Sequence, residues 1–127
     1  MSPKKICIVD DDAVLRNLLS EAFTQVGFEV TTLGDPTQFF ETIKLNQPDV
    51  ALFDIMMPGM TGLQLLERVR LSERCKEMPI AIMTNSMDMN NIAEAVMAGV
   101  TVFIQKAEST PESIVARVQE LMNKKKN

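Results

Sequence analysis

Apolar residues along this chain gather in short runs that alternate with stretches where they recur at helical spacing. The runs are Lys5 to Val9, Glu29 to Leu33, Val50 to Phe53, Ile80 to Met83 and Val100 to Gln105. Four of the five are nearly continuous in apolar residues, as expected of parallel strands covered on both faces. After the first run, Leu15, Leu18, Leu19, Ala22, Phe23 and Val26 follow one helix face, and Gly27 supplies a stop. Asp35-Pro36 reads as an N-cap followed by proline at the first helical position, with Phe39, Phe40 and Ile43 turned inward. Leu63, Leu66, Val69 and Arg70 mark a third helix, and Asn90 to Ala98 a fourth. Thr110-Pro111 caps a fifth, which carries Ile114, Val115, Val118, Leu121 and Met122.

Five strand-helix units of this size require right-handed crossovers. The expected fold class is therefore α/β: a five-stranded parallel sheet with five helices on both faces, for which the flavodoxin-like order 2-1-3-4-5 is the natural choice. A length of 127 residues with 46% hydrophobic content suits one domain spanning 1–127. No internal repeat, low-complexity stretch or linker divides it.

Charge narrows the partners. A formal net charge of −4 gives no general attraction to polyanions, so neither nucleic acid nor an anionic membrane is expected as a direct partner. Lys124 to Lys126 follow the last helical pattern and read as a solvated helix end, where cations meet the negative end of the dipole. The apolar run Ile6 to Val9 is too short for a signal core or a membrane span, so a cytoplasmic location is expected. The two cysteines, Cys7 and Cys75, form no framework and read as free thiols. The absence of histidine excludes His-based general bases, the common His-containing metal sites and any role as a histidine phosphodonor. Chemistry must rest on carboxylates, hydroxyls and lysine.

In such sheets the site lies beyond the carboxyl ends of the strands, at the switch point between the first and third. Strand one ends in Asp10, Asp11 and Asp12, strand three in Asp54, strand four in Thr84 and strand five in Lys106. A single aspartate at a strand end is ordinarily a turn residue or helix cap, and only the combination points to a site. Carboxylates gathered at one edge repel one another unless a cation joins them. A hard divalent ion, Mg²⁺ with Mn²⁺ as the alternative, takes oxygen ligands while keeping waters. Asp10, Asp11 and Asp54 give −3, which one such ion and the Lys106 ammonium balance. Asp54 beside a metal is a reasonable nucleophile toward phosphorus, with the ion, Lys106 and the Thr84 hydroxyl available for the three phosphoryl oxygens.

Through Ile-Val-Asp-Asp-Asp at 8–12, Asp-Ile-Met-Met-Pro-Gly-Met-Thr-Gly at 54–62, Thr84, Ala98-Gly99 and Lys106, the chain resembles the receiver domains of two-component response regulators over nearly its whole length. The resemblance implies the same 2-1-3-4-5 order and a signalling switch rather than an enzyme with a separate substrate. It implies that Asp54 accepts a phosphoryl group from a histidine kinase or histidine phosphotransfer protein, and slowly from small acyl phosphates. It implies Mg²⁺ ligation by Asp10, Asp11, Asp54 and the backbone carbonyl of Met56. It implies a switch pair, Thr84 and Phe103, that transmits the event to a downstream protein through the face of helix four, strand five and helix five. A phosphorylation-dependent dimer is a further expectation left open.

Several positions depart from the family pattern. Asn85 replaces a very small residue beside Thr84, and Thr61 replaces a frequent aspartate, removing a negative charge. Ala107 follows Lys106 where proline, often cis, is usual; a cis bond here costs about 3 kcal/mol, so the loop is either trans and reshaped or strained. Met56 and Ser86 fall where the family tunes phosphate lifetime. Met56, Met57, Met60, Met83, Met87 and Met89 fall on or near the rim and read chiefly as flexible gap-fillers. Three competing functions are weaker. Asp10-Asp11-Asp12-Ala13-Val14 formally matches the nucleophile signature of haloacid-dehalogenase phosphatases, with Asp10 as nucleophile, but the downstream acidic pair and cap domain are missing. A phosphate-independent binding module of receiver shape is the closer rival, whereas a flavin protein lacks both the phosphate cradle and the Trp or Tyr to stack on a flavin.

Overall fold

The computed structural model describes residues 3–85 and 89–126. The side chains of Lys124 to Lys126, read above as a solvated helix end, lie outside the described residues, as do Ser86 and Met87. Five strands, β1 (Lys5–Val9), β2 (Glu29–Leu33), β3 (Val50–Asp54), β4 (Ile80–Thr84) and β5 (Val102–Gln105), form one parallel sheet in the order β2-β1-β3-β4-β5. Between and after them lie α1 (Ala13–Gln25), α2 (Phe39–Leu45), α3 (Gly62–Leu71), α4 (Met89–Ala98) and α5 (Pro111–Lys126).

Side-chain alternation along the strands divides the core. Cys7, Val9, Ala51, Phe53, Ile80 and Ile82 face one side, where α2, α3 and α4 contribute Phe39, Leu66 and Ala95. Ile6, Ile8, Val50, Leu52, Ala81 and Met83 face the other, against Leu19 and Phe23 of α1 and Val118 of α5. Central β3 and β4 are buried at every position, whereas edge strand β2 is only half-buried, which is why its sequence alone interrupts the apolar run with threonines.

The inward face of α1 is narrower than the sequence suggests. Leu19 and Phe23 are buried, but Leu18 and Val26 remain 47% and 48% exposed. Leu18 is turned about 100° from Leu19, and Val26 is the C-cap rather than a helical residue. Gly27 ends the helix with φ +96° while the Phe28 amide donates to the Phe23 carbonyl at 3.1 Å, a Schellman closure only glycine enters cheaply. Pro36 opens a 3₁₀ turn, Pro36–Gln38, capped by Asp35, and α2 starts only at Phe39. Phe39 is buried edge-to-face against Phe53 at 5.3 Å, while Phe40 is half-buried. β5 begins two residues later than expected because Thr101 is used to close the sheet edge, its hydroxyl accepting from the Ile80 amide at 3.0 Å. Cys75, despite its charged neighbours, is fully buried like Cys7; both thiols are free, and burial pushes the Cys7 thiol up to about 12.

Arg70 does more than mark α3. Its guanidinium donates to the carbonyls of Cys75 (3.0 Å) and Met78 (2.8 Å) in the loop before β4, and twice to Gly99 at the end of α4 (3.0 and 2.7 Å). Hydrogen bonds from a charged donor contribute roughly 1.5–3 kcal/mol each when buried. Discounted for the partial exposure of this side chain, Arg70→Met is expected to lower stability by about 2 kcal/mol in urea unfolding followed by circular dichroism. Arg70→Lys should recover less than half of that, because an ammonium cannot span three carbonyls. A loss below about 0.5 kcal/mol for the methionine variant would show that the clamp carries little.

Candidate metal and phosphoryl site

Parallel register brings the strand ends together. Val9 lies beside Phe53 and Leu33, Asp54 beside Met83, and Thr84 beside Gln105, so Asp10 just after β1, Asp54 and Thr84 closing β3 and β4, and Lys106 just after β5 fall on one rim. Asp10 is fully buried, Asp54 is 6% exposed and Thr84 2%, whereas Asp11 is exposed. One carboxylate oxygen from each of Asp10, Asp11 and Asp54 lies within 4.8 Å of the others. That set of hard oxygen donors fits a small divalent cation.

Lys106 reaches this cluster from the 3₁₀ turn Lys106–Glu108. Its ammonium donates to Asp54 Oδ1 at 2.9 Å and to Asp10 Oδ2 at 3.1 Å, bridging two carboxylates rather than facing one. Burial raises the Asp54 pKa; the hydrogen bond from Lys106 opposes this, and the Asp10 charge adds to it. Burial alone would lower the Lys106 pKa, but its hydrogen bonds to Asp54 and Asp10 and the negative charges of both together outweigh burial and raise it. The carboxylate charge is thus only partly answered by protein.

Asp10 is committed within the protein. Its Oδ1 accepts from the Asp12 amide at 2.9 Å and its Oδ2 from Lys106. Buried, and with both oxygens already accepting hydrogen bonds, Asp10 is poorly placed to attack phosphorus, which counts against the phosphatase reading in which it is the nucleophile. Asp12 instead caps α1, accepting from the amides of Val14 (3.0 Å) and Leu15 (3.2 Å).

Arg16 was not singled out in the sequence, and Thr61 and Gly62, which close the 54–62 motif, take structural roles that the motif did not state. Arg16 donates from Nη1 to the Asp10 carbonyl at 2.7 Å. Gly62, the first residue of α3, packs against the Asp54 backbone with no room for a side chain, and its amide donates to the Ile55 carbonyl at 2.9 Å. Thr61 completes a reciprocal cap with Gln64 (3.1 and 2.9 Å), which orients α3 behind Asp54. The Thr-x-x-Gln spacing was a readable signal for that cap; Gly62 was legible only as the end of the motif, and the role of Arg16 rests on contacts that leave no signal of their own.

The Lys106–Ala107 bond is trans, so the loop is reshaped into the 3₁₀ turn. Asn85 is exposed and shares an open cleft of about 320 Å³ with Lys106, Ala107 and Leu18. Thr84 follows Ile82 on one face of β4, and half-buried Phe103 pairs with Ile82 and packs into the core on that side. Met56 is 69% exposed in the loop after β3, and Met89 is 77% exposed. Met57 and Met60 are buried beneath the rim, and Met83 belongs to the core rather than to the rim.

A family model described as the response regulator receiver domain matches residues 6–119. The chain is 31% identical over 116 residues to the DNA-binding response regulator MtrA of Mycolicibacterium paratuberculosis, covering 91% of this chain and 50% of that protein. It therefore spans about half the length of that relative. Among solved structures it is similar to a CheY-like response regulator receiver domain protein of Methanospirillum hungatei, with TM-score 0.90, 26% identity and 98% of each chain covered. It is likewise similar to the chemotaxis response regulator CheY4 of Vibrio cholerae, with TM-score 0.87, 27% identity, and 94% and 99% covered.

Proposed function

Because this chain belongs to the response regulator receiver domains, phosphorylation-activated signalling modules of two-component systems, we propose that Asp54 is its phosphoryl acceptor and that it works as one receiver domain over residues 1–127. The observation that carries this is the joining of Asp54 to Asp10 through Lys106 at the rim, with Asp11 alongside. Asp10, Asp11 and Asp54, with the Met56 carbonyl, would hold Mg²⁺ or Mn²⁺. When bound, that ion supplies positive charge for the phosphoryl oxygens.

The remaining steps belong to the chain's own residues. An oxygen of Asp54 forms a bond to phosphorus while the bond from phosphorus to the donor's histidine nitrogen breaks, leaving an acyl phosphate on Asp54 and its electron pair on the histidine. Lys106, already 2.9 Å from Asp54, is placed to follow the new charge onto a phosphoryl oxygen. Thr84, buried at the end of β4, supplies a hydroxyl to another, and its movement would act on the sheet face on which Phe103 lies beside Ile82. The donor is a histidine kinase or histidine phosphotransfer protein in the cytoplasm. The output is a contact of a downstream protein with the α4, β5 and α5 face, where Val96 and Met97 stand 63% and 90% exposed.

Incubation with acetyl phosphate tests the metal requirement by intact-mass spectrometry. One phosphoryl group should be gained in Mg²⁺ or Mn²⁺ and none in EDTA. Equal gain in EDTA would overturn the metal role, and no gain under conditions that label a control receiver would favour the phosphate-independent module.

A further inference from the structure

Arg16 has no partner among the site carboxylates in the contacts that place it, yet it touches the site's frame. Its Nη1 donates at 2.7 Å to the main-chain carbonyl of Asp10, where the chain leaves β1. The same guanidinium lies over Gly34, just past the end of β2: a Cβ built on Gly34 would stand 2.8 Å from Arg16 Nη1 and 3.2 Å from Cζ. Gly34 has no positive φ, so its backbone makes no demand for glycine; the demand is for space. Arg16 therefore spans from α1 to the ends of β1 and β2 and fixes the peptide from which the Asp10 and Asp11 carboxylates project.

We propose that Arg16 is a positioning residue for the divalent-metal site, holding the Asp10–Asp11 turn in ligating geometry, and that Gly34 is the residue that leaves its guanidinium room. This rests on the metal reading given above. Two physical effects compete and predict opposite signs. As a nearby cation Arg16 repels a divalent ion, so its removal would tighten binding. As an orienting partner its loss weakens binding, typically by about 10- to 100-fold for groups that hold metal ligands in place. The hydrogen bond goes to a carbonyl and not to a carboxylate, so Arg16 leaves the carboxylate oxygens available for the ion and orientation outweighs repulsion.

Manganese(II) binding to the full chain, read as loss of the free-ion paramagnetic resonance signal, tests this without any measure of phosphorylation. Arg16→Ala and Gly34→Ala should each weaken binding by about tenfold. The double variant should bind no more weakly than Arg16→Ala, because alanine at 34 acts only by displacing the guanidinium. Melting curves in EDTA follow the fold separately, and Gly34→Ala, whose only conflict is with the end of a flexible side chain, carries the test should Arg16→Ala not fold. Unchanged or tighter binding by the single variants, or full additivity in the double, would overturn the proposal. A native chain that binds no manganese would remove the metal reading itself; a native chain that binds it beside unaffected variants would remove the Arg16 inference alone.

Discussion

Asp54→Asn is expected to abolish phosphoryl incorporation from acetyl phosphate while the chain stays folded, since an amide of nearly the same shape replaces the one carboxylate of the Asp10, Asp11 and Asp54 cluster fitted for attack. Asp10 has both oxygens engaged and no exposed surface, and Asp11 stands on the exposed side of the cluster. Asp54 alone combines slight exposure with the Lys106 ammonium at 2.9 Å. Intact mass with and without the substitution decides it, and undiminished labelling of the variant would move the acceptor elsewhere. The same variant reports on electrostatics. Burial raises the Asp54 pKa, so the stability contributed by its neutral form is present below the ordinary carboxylate range and is lost as pH rises through the raised value. In EDTA the melting temperature of Asp54→Asn should therefore fall less than that of the native chain between acid and neutral pH.

Gly62→Ala should be the most damaging single methyl on the site side of the protein. An added Cβ would run into the Asp54 carbonyl oxygen and approach both the Asp54 carbonyl carbon and the Ile55 Cα to 3.0 Å. All three are backbone, at the strand end that presents the acceptor, and Gly62 is tied to the same segment by the hydrogen bond that its N–H donates to the Ile55 carbonyl. Neither partner can yield without moving β3 or α3. A cost of about 3 kcal/mol is expected, the upper end for forcing extra atoms into a packed site, together with slower labelling of Asp54. Gly59 gives the contrast: its φ of +83° has open space around it, so alanine there should cost about 1 kcal/mol from the left-handed backbone and leave labelling nearly intact. Urea unfolding followed by circular dichroism suits a chain without tryptophan or tyrosine. Equal stabilities for the two glycine variants would contradict the packing argument.

The hydrophobic pattern by itself determined the alternation of strands and helices, since a buried parallel strand and an amphipathic helix each impose a period that survives without tertiary contacts. It placed Asp10, Asp54, Thr84 and Lys106 at strand ends, and the parallel register then brought them to one rim. It also over-read α1: Leu18 is turned about 100° from buried Leu19 and Val26 is the C-cap, so both stay about half-exposed. What only the tertiary structure decided depends on residues far apart in sequence. Lys106 bridges two carboxylates 96 and 52 positions away, Arg70 gathers carbonyls from a loop and from the end of α4, Gly62 backs onto Asp54, and Arg16 lies over Gly34. Such contacts leave no local period, cap or turn signal in the chain, because their geometry exists only once the sheet has set its register and the helices have closed over it.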